Sequence, residues 1–423
     1  MLAIETRTLD QACGRLYSRT ARVIGWGTGS VFDYFHGLYP IRLDYLVDND
    51  RARWGQRRRG IEVASPERLR SEIPGDTIIV IYSSAWIEIR DQIAQLGNFI
   101  AIPASAAFAD ASVREKLAWA ESIAGQRRSR WPSAMNAIVV QGAVMKDITA
   151  HVLRVLTALN PDNLVLLSTW DDTEAELLAE AASIADEVVT SAPPAIAGVQ
   201  NRNRQIVSTR AGIARAIDLG ARTIAKTRTD LAILGESVFE QAERWLQNFD
   251  AARARRLGLQ NRLIVPSSYT RKYLLYHPSD LVMLGAAEDM ARFWSAPLDP
   301  RSGELMAVAS PASAMAAVNL SGHPAESYLG VQFCRTLERP VAGTLVDSWA
   351  FYRDLFAVVD NDWFDLLWFK NLSIPDASRR SGIRQMVTGA FWQRLFASDP
   401  LIERDLLEIN PSQTALGALA GAA

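Results

Sequence analysis

A cation, a second cation and a carboxylate occupy alternate positions at the end of a short segment of β-forming residues. They are Lys226, Arg228 and Asp230, and Thr223 and Ile224 precede them. Successive side chains of a strand point to opposite faces, so these three point the same way while the chain stays extended. Cations bind phosphate and a carboxylate binds a divalent metal, so the trio could hold both. A buried ion pair at a strand end is the structural alternative.

Three acidic residues further along the chain are candidates for proton transfer. Glu326 could act as the general base that deprotonates an acceptor hydroxyl in an inverting transfer, with Asp280 and Asp289 as its rivals. Asp280 could instead supply a second metal ligand. The structural alternative for Glu326 is the cap of a helix that begins near residue 327. His277 and His323 each precede a proline and share no metal-binding spacing, so a structural role is predicted for both.

Polar residues end two predicted strands, 137–141 and 163–168. Open α/β sheets bind ligands at the carboxyl ends of their strands, so these residues should form the floor of a crevice. Trp170 could stack on a base and Asp171 could accept a hydrogen bond from base or ribose, with core packing as the alternative for Trp170. The predicted floor consists of Gln141, Gly142, Thr169, Trp170 and Asp171.

A polar and basic helix start is predicted between residues 201 and 206. Its side chains include Asn203 and Gln205, with arginines between them. A helix N-terminus of this composition suits phosphate or ribose. A solvated helix start is the alternative.

A glycine-rich turn near the N-terminus lies between a predicted strand and a predicted helix. Such a turn presents backbone N–H groups to a phosphate. Asp48 ends the next predicted strand, where an acidic side chain binds ribose in dinucleotide folds. Glycines here are equally needed for tight strand-to-helix packing. The residues of this possible nucleotide loop are Gly25, Gly27, Gly29 and Asp48.

Composition places the chain among ordinary globular proteins. At 423 residues it should hold two or three domains, and a net charge of −2 gives no bulk attraction to nucleic acid or anionic lipid. The two cysteines are far apart, so a disulfide framework or a zinc module is not expected. No signal peptide or membrane span is predicted, which favours the cytoplasm. An arginine cluster at 51–59 is interpreted as a solvated face, although it would also suit peripheral contact with the inner membrane.

Strand and helix patterns alternate in two successive regions of the chain. The fold class predicted is α/β, with a small Rossmann-like parallel sheet in a first domain, 1–130, and a larger second domain, 131–412. Ser65-Pro66 predicts a helix start with Ser65 as its cap. Residues 279–284 are predicted to form a strand, and the chain from 341 onward to be irregular and aromatic. The Ala/Gly-rich residues 413–423 are expected to form a disordered tail.

Six ordered motifs in the second half resemble the WavE family of bacterial lipopolysaccharide-synthesis proteins. They lie at 138–142, 167–171, 201–206, 226–230, 279–280 and 325–329. One departure is Ala143, where proline is expected, so the first loop should differ in shape. Residues 20–105 are similar to the Rossmann-like domains at the front of bacterial sugar acyltransferases.

The WavE resemblance implies a GT-A-like glycosyltransferase domain. Its donor would be a nucleotide-sugar, and its acceptor a glycan or lipid-linked molecule of a surface polysaccharide or lipopolysaccharide. Asp230 would hold Mn²⁺ or Mg²⁺ if the enzyme uses a metal. Two alternatives stay open. One is an NAD(P)-dependent oxidoreductase that uses the N-terminal glycine loop, although no Tyr-x-x-x-Lys pair supports hydride transfer. The other is a non-catalytic binding protein of polysaccharide assembly.

Overall fold

A computed structural model describes residues 6–18, 20–125, 133–301, 324–370, 372 and 386–397. His323 and the predicted tail 413–423 lie outside these residues. The chain divides into two compact units, which are residues 1–122 with 367–377 and residues 123–366 with 378–423. None of the helices in the described ranges is long and apolar enough to cross a membrane.

The first unit contains a six-stranded sheet that is parallel except at one edge. Its strands are β1 (Arg22–Trp26), β2 (Tyr45–Val47), β3 (Arg57–Arg58), β4 (Ile61–Ala64), β5 (Thr77–Ile81) and β6 (Ile100–Pro103). Their order is β3-β4-β2-β1-β5-β6, and only β3 runs antiparallel to its neighbour. Every residue of β5 is buried, as expected for a parallel strand covered on both faces.

Helices alternate with these strands. They are α1 (Thr6–Ser18), α2 (Ser30–Leu38), α3 (Trp86–Leu96), α4 (Ala104–Ala107) and α5 (Ala111–Ala124), with 3₁₀ helices at 51–53, 66–71 and 74–76. The helix predicted after Ser65 is wrong in type, because Pro66–Ser71 is a short 3₁₀ helix and the Ser65 side chain makes no capping hydrogen bond. Pro66 does occupy the first helical position.

The second unit is built on a seven-stranded mixed sheet. Its strands are β7 (Ser133–Gln141), β8 (Asn163–Trp170), β9 (Glu187–Ser191), β10 (Thr223–Arg228), β12 (Leu263–Pro266), β13 (Met283–Ala286) and β14 (Phe356–Val359). The short strands β11 (Leu231–Ile233) and β15 (Leu366–Trp368) lie outside this sheet. The order is β14-β12-β13-β10-β7-β8-β9, and β13 runs antiparallel to both of its neighbours. The parallel-strand α/β fold predicted from the sequence is therefore confirmed.

Ten helices of the described chain belong to the second unit. They are α6 (Thr149–Leu159), α7 (Ala175–Ala182), α8 (Arg202–Asp218), α9 (Val238–Gln247), α10 (Ala252–Arg256), α11 (Ala287–Phe293), α12 (Ala325–Thr336), α13 (Leu345–Leu355), α14 (Asn361–Phe364) and α15 (Gly389–Ala397). α8 packs closely on the sheet, since a Cβ on Gly212 would stand 2.5 Å from Val139 Cγ1.

Two element predictions in the second unit are wrong. The strand expected at 279–284 begins only at Met283, so Asp280 lies in the preceding loop. The segment after 341 is regular where the structure describes it, because α13 leads into β14, which pairs in parallel with β12. Aromatic residues of this segment pack edge-to-face in the core, as Phe356 does against Phe293.

The direction of strand order reverses at β7. From β7 the chain steps outward through β8 to β9, and it then returns to place β10 on the other side of β7. In open α/β sheets the ligand crevice lies outside the carboxyl ends of the two strands that flank such a reversal. Here those ends are Gln141 in β7 and Arg228 in β10.

Candidate functional site

The turns after β7 and β10 lie against each other at this reversal. Thr229 N donates to Gln141 O at 3.1 Å, and Gly142 N donates to Ser168 O at 3.1 Å. Gly142 has φ +128°, and a Cβ there would stand 3.1 Å from Thr229 Oγ1. Glycine is therefore needed at this position, both for its backbone conformation and for the close approach.

Lys226 lies inside β10 and is fully buried. Its Nζ donates to the backbone carbonyl of Asp280 and stands 5.2 Å from the ring centroid of Trp294. Burial lowers the pKa of Lys226 to about 8, although the nearby carboxylates of Asp280 and Asp230 oppose this shift. Lys226 therefore contributes positive charge to the site without being exposed to the crevice.

Arg228, at the end of β10, is shared between two carboxylates. Its Nε and Nη2 donate to Asp230 Oδ1 and Oδ2 at 2.9 and 3.1 Å. Its Nη1 lies 4.0 Å from Asp280 Oδ2. Burial disfavours the charged guanidinium, but the Asp230 carboxylate more than offsets this and raises the pKa of Arg228. The side chain keeps 25% exposure, so it is the cation of β10 that reaches the crevice.

The surroundings of Asp230 do not suit a divalent cation. The side chain is 2% exposed, and both carboxylate oxygens accept from Arg228. Across the described ranges, no three His, Cys, Asp or Glu side chains form a group that could hold a metal ion. A divalent ion would first have to displace the guanidinium, so the metal at Asp230 stays a prediction.

Asp280 and Glu326 bring two carboxylates to the same place. Asp280 lies in the loop before β13 and is 6% exposed. Burial, together with the negative charge of Glu326, raises the pKa of Asp280, while Lys226 and Arg228 partly compensate. Glu326 lies in the first turn of α12. Burial favours its neutral form, but the His277 imidazole and Arg228 outweigh burial and lower the pKa of Glu326 to about 2.

His277 is the site residue that sequence reasoning missed. Its Nε2 lies 3.3 Å from Glu326 Oε2, and its Nδ1 lies 3.0 Å from the backbone oxygen of Tyr269. The sequence predicts only a structural role for His277, because no spacing links it to Glu326. Its position three residues before Asp280 is the one local signal.

Other predicted donor-binding residues lie at or just after the ends of β7 and β8. Gln141 is buried at the end of β7, and its Oε1 accepts from Ser208 Oγ at 2.8 Å. Thr169 and Trp170 are buried at the end of β8, whereas Asp171 is exposed. This places Gln141 beside the cluster and leaves Trp170 within the packed interior.

At the polar start of α8, Asn203 is hydrogen-bonded within the protein. Asn203 is 1% exposed, donates to Ile196 O and Asp299 O, and accepts from Asp299 N. Gln205, one turn into α8, is partly buried. Asn203 therefore anchors the loop that ends near Asp299, and a ligand would have to replace those contacts.

The glycine loop of the first unit is likewise satisfied internally. Asp48 Oδ2 accepts from Thr28 N at 2.9 Å and Thr28 Oγ1 at 2.5 Å, and it pairs with Arg53 at 3.2 Å. A Cβ on Gly25 would stand 2.6 Å from Leu46 Cδ2, and one on Gly27 would stand 2.6 Å from Tyr82 O. Packing explains both glycines, and a ribose would compete with Thr28 for Asp48.

Comparison with known families decides what kind of protein carries this cluster. Residues 137–335 match the family model described as WavE lipopolysaccharide synthesis. We call residues 137–335, the part of the chain that matches this model, the WavE region. The resemblance predicted from the six motifs is confirmed, and the match indicates a biosynthetic enzyme with a role in lipopolysaccharide synthesis. A search of curated proteins gives no match.

The WavE region runs from β7 into α12 and contains the whole cluster. Its members are Lys226, Arg228, Asp230, His277, Asp280 and Glu326. The glycine loop of the first unit lies outside the match. The family relationship therefore points to the cluster in the second unit rather than to that loop.

Proposed function

We propose that the WavE region transfers a sugar from a nucleotide-sugar donor to a lipopolysaccharide or surface-polysaccharide acceptor. The observation that carries the proposal is the position of Arg228 beside Asp280, at the carboxyl end of β10 where the strand order reverses. Glycosyl transfer needs a cation for the diphosphate and a carboxylate for the acceptor proton. Both are present here within one buried cluster.

Arg228 is the group proposed to receive the donor diphosphate. Its guanidinium keeps 25% exposure at the carboxyl end of β10, where the strand order reverses. Lys226 adds positive charge from behind the strand without touching the ligand. Gln141, at the end of the neighbouring strand, is proposed to contact the nucleotide from the other side of the reversal.

The reaction follows from these placements. The acceptor hydroxyl oxygen forms a bond to the anomeric carbon of the donor sugar. The bond from that carbon to the diphosphate oxygen breaks, and its electron pair leaves with the diphosphate. The hydroxyl proton passes to a carboxylate of the cluster. Arg228 stabilises the charge that develops on the leaving group.

A binding experiment tests the proposal. Purified protein is heated with UDP-, GDP-, CMP- and dTDP-sugars in turn, with EDTA or with Mn²⁺. A ligand at about 100 times its Kd adds roughly 2.7 kcal/mol of stability, so one sugar nucleotide should raise the melting temperature clearly. The titration is repeated with Arg228→Ala and with Arg256→Ala, an exposed arginine of α10, as the matched control.

Arg228→Ala should raise the Kd at least tenfold, and Arg256→Ala should leave the Kd unchanged. The absence of a shift with every nucleotide-sugar would contradict the proposal. Equal affinity in the two variants would contradict the role of Arg228. A shift that requires Mn²⁺ and disappears in Asp230→Asn would restore the predicted metal.

A further inference from the structure

Both ring nitrogens of His277 face acceptor oxygens. Nδ1 stands 3.0 Å from Tyr269 O, which can only accept, so Nδ1 carries a hydrogen. Nε2 stands 3.3 Å from Glu326 Oε2. An unprotonated Nε2 and an ionised carboxylate would present lone pairs to each other. One proton must therefore lie between these two atoms.

The electrostatics of the cluster favour the ionised form of Glu326. Burial opposes ionisation of Glu326, but His277 and Arg228 lower the pKa of this carboxyl to about 2. Glu326 is thus in its ionised form at neutral pH. Other charged or titratable groups act on Glu326 from the surrounding elements, and they are Arg202, Lys226, Arg228, Tyr269 and Asp280.

The pKa of the Asp280 carboxyl is shifted in the opposite direction from that of Glu326. Its ion pair with Arg228 Nη1, at 4.0 Å, is longer than a hydrogen bond. Its burial and the adjacent Glu326 charge raise its pKa. When two carboxyls in one site have pKa values pushed apart, the raised one suits proton transfer at neutral pH and the lowered one stays ionised.

We propose that His277 and Glu326 form a fixed imidazolium–carboxylate pair and that Asp280 takes the proton of the acceptor hydroxyl. His277 is then a positioning residue, which acts on the reaction through Glu326 and Asp280. The division of roles rests on the proposed transfer. In that transfer the proton released from the hydroxyl oxygen ends on an Asp280 carboxylate oxygen as the new glycosidic bond forms. The sequence alone favours Glu326 for this step.

The ion pair can be tested without any substrate. The chain has four histidines, so ¹⁵N-histidine NMR of the full-length protein gives few ring signals, and the His277 signal is identified by its loss in His277→Gln. At pH 7.5 we expect an imidazolium pattern for His277 in the wild type and a neutral pattern in Glu326→Gln. A neutral ring in the wild type, or the same pattern in both proteins, would overturn the pair.

The role of Asp280 is tested on the pH dependence of sugar transfer. Asp280→Asn should lower kcat/KM by about 10²–10⁴-fold. Glu326→Gln removes the negative charge beside Asp280 and, with it, the weaker opposing charge of His277, so the acidic limb of the profile should still move to lower pH. His277→Gln removes a positive charge, so that limb should move to higher pH. Asp172→Asn, an exposed carboxylate after β8, is the matched control and should leave the limb in place.

If His277 and Glu326 had only a structural role, Glu326→Gln and His277→Gln would not move the acidic limb in opposite directions. Displacement in the same direction would contradict the proposed charge pair. An acidic limb that survives in Asp280→Asn and vanishes in Glu326→Gln would assign the base to Glu326. If no donor supports turnover while NMR shows the imidazolium, the proposed transfer fails and the pair stands.

Discussion

Arg228 is a single guanidinium that compensates two buried carboxylates. Asp230 accepts hydrogen bonds from its Nε and Nη2, and Asp280 lies 4.0 Å from its Nη1, at the edge of ion-pair distance. Removing one partner of a buried pair is costly because the other charge stays buried without compensation. The identity of residue 228 should therefore affect the stability of the second unit as well as ligand binding.

We expect Arg228→Gln to lower the free energy of unfolding by about 3 kcal/mol, measured by urea unfolding at pH 7. Asp230→Asn added to Arg228→Gln should recover part of the loss, because the orphaned carboxylate is then neutral. Exposed Arg256→Gln is the control. A double variant that is less stable than Arg228→Gln would show that charge compensation is not the main role of Arg228.

For single residues, the sequence predicts which side chains carry charge but not which of them contact each other. Lys226, Arg228, Asp280 and Glu326 are recognisable as ionisable groups near predicted element ends, and the fold brings them together. His277 and Glu326 are separated by 49 positions, and no local pattern encodes their contact. Similarly, nothing in the sequence shows that Asn203 is engaged by the loop at Asp299.

Among the elements, the turn after β1 shows which glycine is structurally required. Gly27 has φ +104°, and a Cβ there would meet Tyr82 O at 2.6 Å, whereas nothing lies within 4 Å of a Cβ on Gly29. We expect Gly27→Ala to cost about 3 kcal/mol through backbone strain and overpacking. Gly29→Ala should change stability by less than about 1 kcal/mol. Urea unfolding of both variants checks this, and equal effects would contradict it.

The seating of α8 on the sheet depends on Gly212. A Cβ there would approach Val139 Cγ1 to 2.5 Å and Ser168 Cβ to 2.9 Å. Overpacking costs about 1–3 kcal/mol, which outweighs the gain of up to about 1 kcal/mol in helix propensity. Gly212→Ala should therefore lower the melting temperature. Gly14→Ala in α1, with open space around the new Cβ, should leave it unchanged or raise it. A rise in Gly212→Ala would contradict close packing.

The alternation of strands and helices is predictable because parallel strands buried on both faces read as short apolar runs. Strand order is not, since antiparallel β13 enters the sheet between β10 and β12 without any periodic signal. The apolar residues 281 and 282 continue directly into β13, so the sequence does not mark where this strand starts. The helix before β14 does carry a signal, because Trp349, Tyr352 and Leu355 of α13 are buried at helical spacing.

For the whole molecule, His151 in α6 makes stability depend on pH. It is 7% exposed, and burial, with Arg154 nearby, lowers its pKa to about 4 from an ordinary value of 6.5. Between these values the unfolded chain binds the proton more readily, so stability is lost as the pH falls from about 6.5 to 4. The loss is at most about 3 kcal/mol at pH 4.

His151→Leu should flatten this part of the stability curve, measured by urea unfolding at pH 7, 6, 5 and 4. Above pH 7 the two proteins should keep a constant difference, because His151 is then neutral in both states. The same slope in the variant and the wild type between pH 6.5 and 4 would show that other groups govern acid unfolding.

The cluster is assembled from segments that lie far apart along the chain, with 100 positions between Lys226 and Glu326. Contacts of such long sequence separation form late, because the chain must lose much of its entropy before they can be made. Refolding should therefore restore the far-ultraviolet circular dichroism of the helices before it restores the proposed binding of a nucleotide-sugar. A partly refolded chain would contain the parallel β7–α6–β8 crossover but not the charge arrangement, so formation of the cluster reports on completion of the fold.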